Sequence, residues 1–372
     1  MYKLAFIGGS IDSIAGYPHF IASQMDKRFE VVAGAFSTNK LLNKETANRW
    51  KIVKYYDNYK ELIKNEKEYI DAVVILTPTP LHAKMIIELL QAGIPIICEK
   101  PLAISLKEVT EIESFYDYAK HFLVVTNNYS GYPMVRELRY KIKNGELGDI
   151  LSIRLKMPQE SFLRPPKSVN YPQKWRLKDD FIPMISLDLG SHLHHLSYFL
   201  LKEEPTAVMA SYSKFSSYGV VDDVNMILKY ESGKNANLWL SKTALGNRNG
   251  LHIEVYGSKA SASWHQENPE QLEFSYTNGQ KTIIDRGSDV EMQNNPLYNR
   301  MTPGHPAGFI ESFANVYNDI FIALEKFYQH KNYLNDFIYG ISHAKHGLEL
   351  LHTATIADKE ETITIIKRDK GV

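Results

Sequence analysis

The sequence predicts an α/β Rossmann domain, a doubly wound parallel sheet, followed by an α+β domain built on a large, mainly antiparallel sheet. Three observations carry this. Apolar runs at 2–9, 29–36, 70–76, 93–98 and 122–126 alternate with helical patterns, as strands buried on both faces do. Beyond residue 150 the pattern becomes apolar/polar alternation, with Ser232-Gly233-Lys234 and Asn278-Gly279 placed as hairpin turns. The chain, at 372 residues, exceeds what one hydrophobic core usually serves, so two domains are expected, 1–126 and 127–372.

The first run enters a glycine turn and a helix over 17–25. Strand, glycine turn, helix and strand within about 30 residues is the layout of a dinucleotide-binding βαβ unit, where helix N-terminal amides take a pyrophosphate. Gly8, Gly9 and Ser10 are therefore cofactor candidates, although Ser10 and Ser13 stand where the usual fingerprint has glycine and the loop closes only at Gly16. A tight connection that binds nothing is the bland alternative. Asp12 would repel a diphosphate, so it is assigned as a helix cap. The second run ends in Ser37-Thr38-Asn39-Lys40, without the carboxylate that an NAD-selective site sets against the ribose 2′-hydroxyl. Ser37, Thr38 and Lys40 could accept a 2′-phosphate instead, so the cofactor expected is NAD or NADP.

Residues 70–101 form the central βαβ unit. Ligands gather beyond the carboxyl ends of parallel strands, which places Thr77, Pro78, His82, Glu99 and Lys100 on the rim of a site. Ser105 and Glu108 form a capping box for the next helix, and 122–126 supplies a further buried strand.

In the second half Tyr132-Pro133 leads into a helix carrying Arg136 and Arg139, and Gly145-Glu146-Leu147-Gly148 forms a turn. Apolar residues at 189, 193, 196 and 200 follow helical spacing, which sets Asp188 and His192 one turn apart on one face. A carboxylate beside an imidazole fixes its tautomer and raises its basicity, as a general base requires. A metal site from Asp188, His192 and His195 has no evident fourth ligand, and no metal is expected. His194 points elsewhere and is structural. Trp175-Arg176 precede this helix; Pro303-Gly304-His305-Pro306 open a later one; a last helix near 336–357 and a strand over 362–366 close the chain.

Taken together, Cys98-Glu99-Lys100-Pro101-Leu102, the loop ending in Gly16 with His19 three residues on, the Gly131-Tyr132-Pro133 helix start, and Gly304-His305-Pro306 resemble the Gfo/Idh/MocA family of nicotinamide-dependent sugar and cyclitol oxidoreductases. The resemblance implies that Lys100 faces an Asp188/His192 pair on the first helix of the second domain. It implies roles at the substrate for Tyr132, Trp175, Arg176 and His305. It further implies interconversion of a secondary alcohol and a ketone on a sugar, sugar derivative or inositol, and leaves open whether Lys100 or His192 takes the proton. Two other functions stay open: a non-catalytic dinucleotide- or sugar-binding regulator, favoured by the altered glycine loop, and a redox-assisted glycosidase, known from one branch of the family.

Forty-three basic residues balance 43 acidic ones, so no global field draws the protein to nucleic acid or an anionic membrane. The single cysteine, Cys98, excludes an internal disulfide and reads as a small core residue. No run reaches the length of a membrane span, and the chain passes from Met1 directly into a strand pattern, so a cytoplasmic location is expected. A sheet with one face covered by helices offers the other to a second subunit, which makes a homodimer or homotetramer the expected assembly.

Overall fold

The computed structural model describes residues 1–164, 172–291, 295 and 298–368. The described chain divides into two compact units, residues 1–131 with 308–344, and residues 132–307 with 345–368. The first unit is therefore not a contiguous segment ending at 126, as the sequence suggested.

The first unit is a six-stranded parallel sheet. Its strands are β1 (Tyr2–Gly8), β2 (Phe29–Ala35), β3 (Lys54–Tyr55), β4 (Ala72–Leu76), β5 (Ile96–Glu99) and β6 (Leu123–Thr126), arranged 3-2-1-4-5-6. Chain order reverses between β1 and β4, the switch point at which such sheets bind ligands. Five helices connect the strands: α1 (Gly16–Gln24), α2 (Lys40–Trp50), α3 (Tyr59–Glu66), α4 (His82–Gln91) and α5 (Leu106–Phe115). Local capping sets several starts. Asn39 accepts the Leu41 and Leu42 N–H groups, Asn58 accepts that of Glu61, and Ser105 accepts that of Glu108, as the capping motif predicts. β4 is buried at every residue, which is why the sequence there is an unbroken apolar run.

What returns residues 308–344 to this unit is the apolar face of α8 (Phe309–Tyr328). Phe313, Ala314, Val316, Tyr317, Ile320, Ala323 and Leu324 join Leu4, Phe6, Phe29 and Val31 in one core. Asn315 donates to the Gly131 carbonyl at 2.8 Å and Asn318 to Asp26 at 2.7 Å. A Cβ at Gly131 would fall 2.1 Å from the Ser312 carbonyl oxygen, so only glycine permits that approach.

The second unit is a nine-stranded sheet. Its strands are β7 (Ile150–Pro158), β8 (Ala207–Ser213), β9 (Asp223–Lys229), β10 (Asn235–Ser241), β11 (His252–Gly257), β12 (Ala260–His265), β13 (Asn268–Tyr276), β14 (Lys281–Asp285) and β15 (Thr364–Ile365), arranged 14-13-12-11-7-10-9-8-15. All pairings are antiparallel except β7 with β10. One face is apolar and lies under α6 (Pro133–Lys143) and α7 (Ser191–Leu201), with Ile153, Leu155, Leu238, Ile253 and Trp264 buried. The helix α9 (Ile341–Glu360) ends in this unit. Tyr132, expected at the substrate, instead caps α6 with its ring buried on Trp264 at 5.1 Å. A ring this large at the first turn of a core-facing helix is worth more inside than on the surface. Among the described residues no helix is long and apolar enough to cross a membrane.

Candidate active site

β1 ends in two glycines with positive φ, Gly8 at 81° and Gly9 at 72°. A Cβ on Gly8 would lie 2.8 Å from the backbone of Leu76 on β4, and one on Gly16 would lie 2.1 Å from the Gly9 carbonyl oxygen. The loop therefore folds as bare backbone against the next strand and into α1, whose first turn carries no acidic side chain. A helix start beside a glycine loop suits a diphosphate, and glycines at 8, 9 and 16 set the close backbone approach there. Ser10 lies buried in the loop, and Ser13 Oγ accepts the Gly16 N–H at 3.3 Å. The cap assigned to Asp12 is thus corrected: the residue before α1 is Ala15, without a side-chain cap, and Asp12 is exposed in the preceding turn. Ser13 is the local acceptor because it is the one three residues ahead of the amide.

At the end of β2, Ser37 Oγ accepts the Asn39 N–H at 3.1 Å, Thr38 is exposed, and Lys40 pairs with Asp57 at 2.6 Å on the surface. The ion pair raises the Lys40 pKa through its hydrogen bond and charge.

The carboxyl ends of β4 and β5 are braced by His82. It is fully buried, with Nδ1 2.9 Å from the Pro101 carbonyl and Nε2 2.8 Å from that of Thr77. Both ring nitrogens face backbone carbonyls, and the neutral ring donates to one of them while packing against the other, so His82 lies between two rim loops instead of lining the rim. Burial holds its pKa below the ordinary histidine value, against the pull of the two carbonyls. Thr77 stands half-buried with its hydroxyl toward the Met85 sulfur, and Pro78 is exposed at the start of a 3₁₀ turn. Glu99 is turned inward: its Oε2 meets His19 Nε2 at 3.0 Å and accepts the Thr126 hydroxyl. Lys100 follows directly, half-buried, on the same sheet edge as the glycine cradle.

In the second unit Asp188 and His192 do not share one α-helix. A π turn over Ser186–Gly190 precedes α7, so Asp188 lies on the wider turn and His192 on the α-helix proper, buried. Asp188 Oδ2 is held by Arg176 at 2.6 Å and by Lys242 at 2.9 Å. Arg176 sits on a 3₁₀ turn with its guanidinium 4.5 Å from the Trp175 ring, and Trp175 donates to Gln173. Lys242, buried just past β10 and 5.2 Å from the Phe162 ring, was not anticipated. Its only trace in the sequence is a cation closing an alternating strand. His194 meets Glu204 at 2.8 Å, and His195 is held well below the ordinary histidine pKa by burial and by its histidine neighbours. His305 is exposed, on a loop fixed from beneath by buried Arg286, which donates to the His305 carbonyl at 2.7 Å and to Glu270 at 2.5 Å.

Residues 2–138 match the oxidoreductase family model with an NAD-binding Rossmann fold, and residues 135–263 match the Gfo/Idh/MocA C-terminal domain. The chain belongs to the Gfo/Idh/MocA family. Residues 2–138 are the NAD-binding Rossmann part of that family. Among similar proteins, an uncharacterised oxidoreductase of Bacillus subtilis, YfiI, is 27% identical over 91% of this chain and 89% of its own length. An inositol 2-dehydrogenase of Rhizobium meliloti is 30% identical over 56% of this chain and 62% of its own length. The crystal structure of an inositol dehydrogenase homolog from Azotobacter vinelandii, complexed with NADH and myo-inositol, superposes with a TM-score of 0.88 at 26% identity, covering 98% of this chain and 97% of that one. As a Gfo/Idh/MocA protein the chain is an NAD-binding oxidoreductase.

Proposed function

We propose that the protein interconverts a secondary alcohol and a ketone on a sugar, sugar derivative or inositol. The observation that carries this reading is Lys100 at the carboxyl end of β5, on the sheet edge that also bears the Gly8–Gly9 cradle, in a family with inositol and sugar dehydrogenases among its members. The nicotinamide, when bound, supplies the two-electron acceptor or donor. The protein's own part is the proton. Oxidation of a carbinol needs a base for the hydroxyl hydrogen, and His192 takes that proton at its imidazole. Asp188, charged and anchored by Arg176 and Lys242, sits one turn before it to favour the protonated ring. Lys100 donates a hydrogen bond to the reacting oxygen and stabilises its alkoxide character. Trp175 and His305 border the substrate. Ser37 and Thr38 follow β2 without a carboxylate among 37–40, so NADP is admitted as well as NAD, with Lys40 exchanging Asp57 for the 2′-phosphate, and the protein works as a dimer or tetramer through the open face of its second sheet.

The test is a panel of inositols, sugars and glycosides assayed with each cofactor by the absorbance of the reduced nicotinamide. Lys100→Ala and His192→Ala are each expected to lower kcat by about 10²- to 10⁴-fold with cofactor affinity retained. Near-normal turnover in either variant removes that residue's role. Glycoside cleavage without net reduction of cofactor replaces the dehydrogenase reading with a redox-assisted glycosidase.

A further inference from the structure

Glu99 lies where four elements of the first unit meet, and its partners form a continuous buried chain. The Tyr317 hydroxyl on α8 is 2.8 Å from His19 Nδ1, His19 Nε2 on α1 is 3.0 Å from Glu99 Oε2 on β5, and the Thr126 hydroxyl on β6 donates to the same oxygen. His19 is wholly buried, 4.5 Å from the Phe313 ring. The ring is thus held at both nitrogens, by the phenol on one side and the carboxylate on the other, and cannot turn away from Glu99.

The charges around Glu99 agree with that arrangement. Burial alone would raise its pKa, but the hydrogen bond and charge of His19, then Lys100 and Thr126, together bring it below the ordinary glutamate value. Burial and then Glu99 push Tyr317 well above its usual value, so it stays a donor. The same two causes hold the Cys98 thiol neutral, and burial keeps His82 low. Glu99 is thus the one anion among these groups, and the next residue is Lys100. An apolar core at this position would need none of it, since buried polar chains cost free energy unless every member is paired. His19 also stands three residues beyond Gly16, the glycine that closes the cradle.

We propose that Tyr317, His19 and Thr126 are a positioning relay, which fixes Glu99 and with it the backbone carrying Lys100 against the helix that opens the glycine cradle. None of the three touches the reacting atoms. The inference rests on the role assigned to Lys100 above.

His19→Leu, His19→Gln and Glu99→Gln test it. Without the imidazole, burial of Glu99 loses its main compensation and the carboxyl pKa is expected to rise, which favours the protonated form. In His19→Leu, kcat at neutral pH is expected to fall about 10²-fold, the cost of a small displacement of a catalytic group, and to recover as pH rises, a limb absent from the wild type. KM is expected to stay within about twofold. Infrared spectra of the cofactor-free His19→Leu protein should show a protonated-carboxyl band at neutral pH that vanishes in the double variant with Glu99→Gln. His19→Gln keeps an N–H donor and should restore both properties. A folded His19→Leu protein with the wild-type pH profile and no such band overturns the relay. If that variant does not fold, Tyr317→Phe must show the same band and limb in weaker form, and wild-type behaviour there overturns it equally. Normal turnover of Lys100→Ala would instead refute the assignment of Lys100, and the infrared band would still report on the relay.

Discussion

Asp188 illustrates how far a single residue's role depends on partners remote in sequence. Its spacing from His192 is visible in the chain, but the two cations that hold its carboxylate come from a 3₁₀ turn and from beyond the end of β10. Lys242 is buried, and its ammonium meets the Asp188 carboxylate there at 2.9 Å. In Lys242→Met the apolar stem is preserved and Arg176 remains, so the carboxylate keeps one cation. We expect a loss of about 2 kcal/mol in urea unfolding, less than the usual cost of leaving a buried charge alone. In a double-mutant cycle, Asp188→Asn should cost less in the Lys242→Met background than in the wild type, the sign of direct coupling. Equal costs in both backgrounds would mean that Arg176 alone neutralises Asp188. Tyr132 and His82 make the complementary point. Each stands beside a strand end or helix start where a ligand contact is expected, yet each is drawn inward by a local partner, the Trp264 ring or two backbone carbonyls. Sequence position locates a rim; it does not tell which side chains face it.

At the scale of elements, the loop from β1 to α1 was partly legible. Its glycines announced a close backbone approach and a loop closing at Gly16, while the serines at 10 and 13 hid how near Gly16 comes to Gly9. The geometry makes the claim testable: Gly16→Ala would set a methyl 2.1 Å from the Gly9 carbonyl oxygen, which no side-chain rotation can relieve. We expect a loss of about 1–3 kcal/mol from overpacking and at least about tenfold weaker cofactor binding, read by thermal unfolding and by quenching of protein fluorescence on NADH addition. Unchanged affinity would mean that the cradle does not hold the diphosphate. The strands of both sheets were legible because burial on two faces and burial on one face write different periods into the sequence. The π turn before α7 was not, since an i, i+4 pair looks the same whether the turn between is regular or widened. Nor was the destination of α8. Its periodicity declares a buried stripe, but Phe313, Tyr317 and Ile320 carry no mark of the sheet they will cover.

At the scale of the whole molecule, the proposed assembly through the nine-stranded sheet is tested on the residues that its outer face exposes. In register across it run Met209, Ile227, Asn237, Arg154, Glu254, Ser263, Glu273 and Ile283, an ordered row with apolar ends and a polar middle. Met209, Ile227 and Ile283 are 41%, 47% and 61% exposed, and Trp239 lies two residues along from Asn237 on the same face. Alternation on β8, β9 and β10 buries Val208, Met226, Leu228 and Leu238 on the other side, so these outward residues are not needed for the unit's own core. Large apolar side chains repeated at one end of a sheet face are what a second copy can bury, and a two-fold axis would bring Ile227 against its own counterpart or the neighbouring Met209. Ile227→Lys places an ammonium there at little cost to the subunit, because the site is exposed and the strand interior untouched. Sedimentation velocity should show a dimer or tetramer for the wild type and a monomer for Ile227→Lys, with thermal unfolding of the dilute proteins nearly the same. A wild type that sediments as a monomer, or a variant that keeps the wild-type mass, would move the subunit contact off this face.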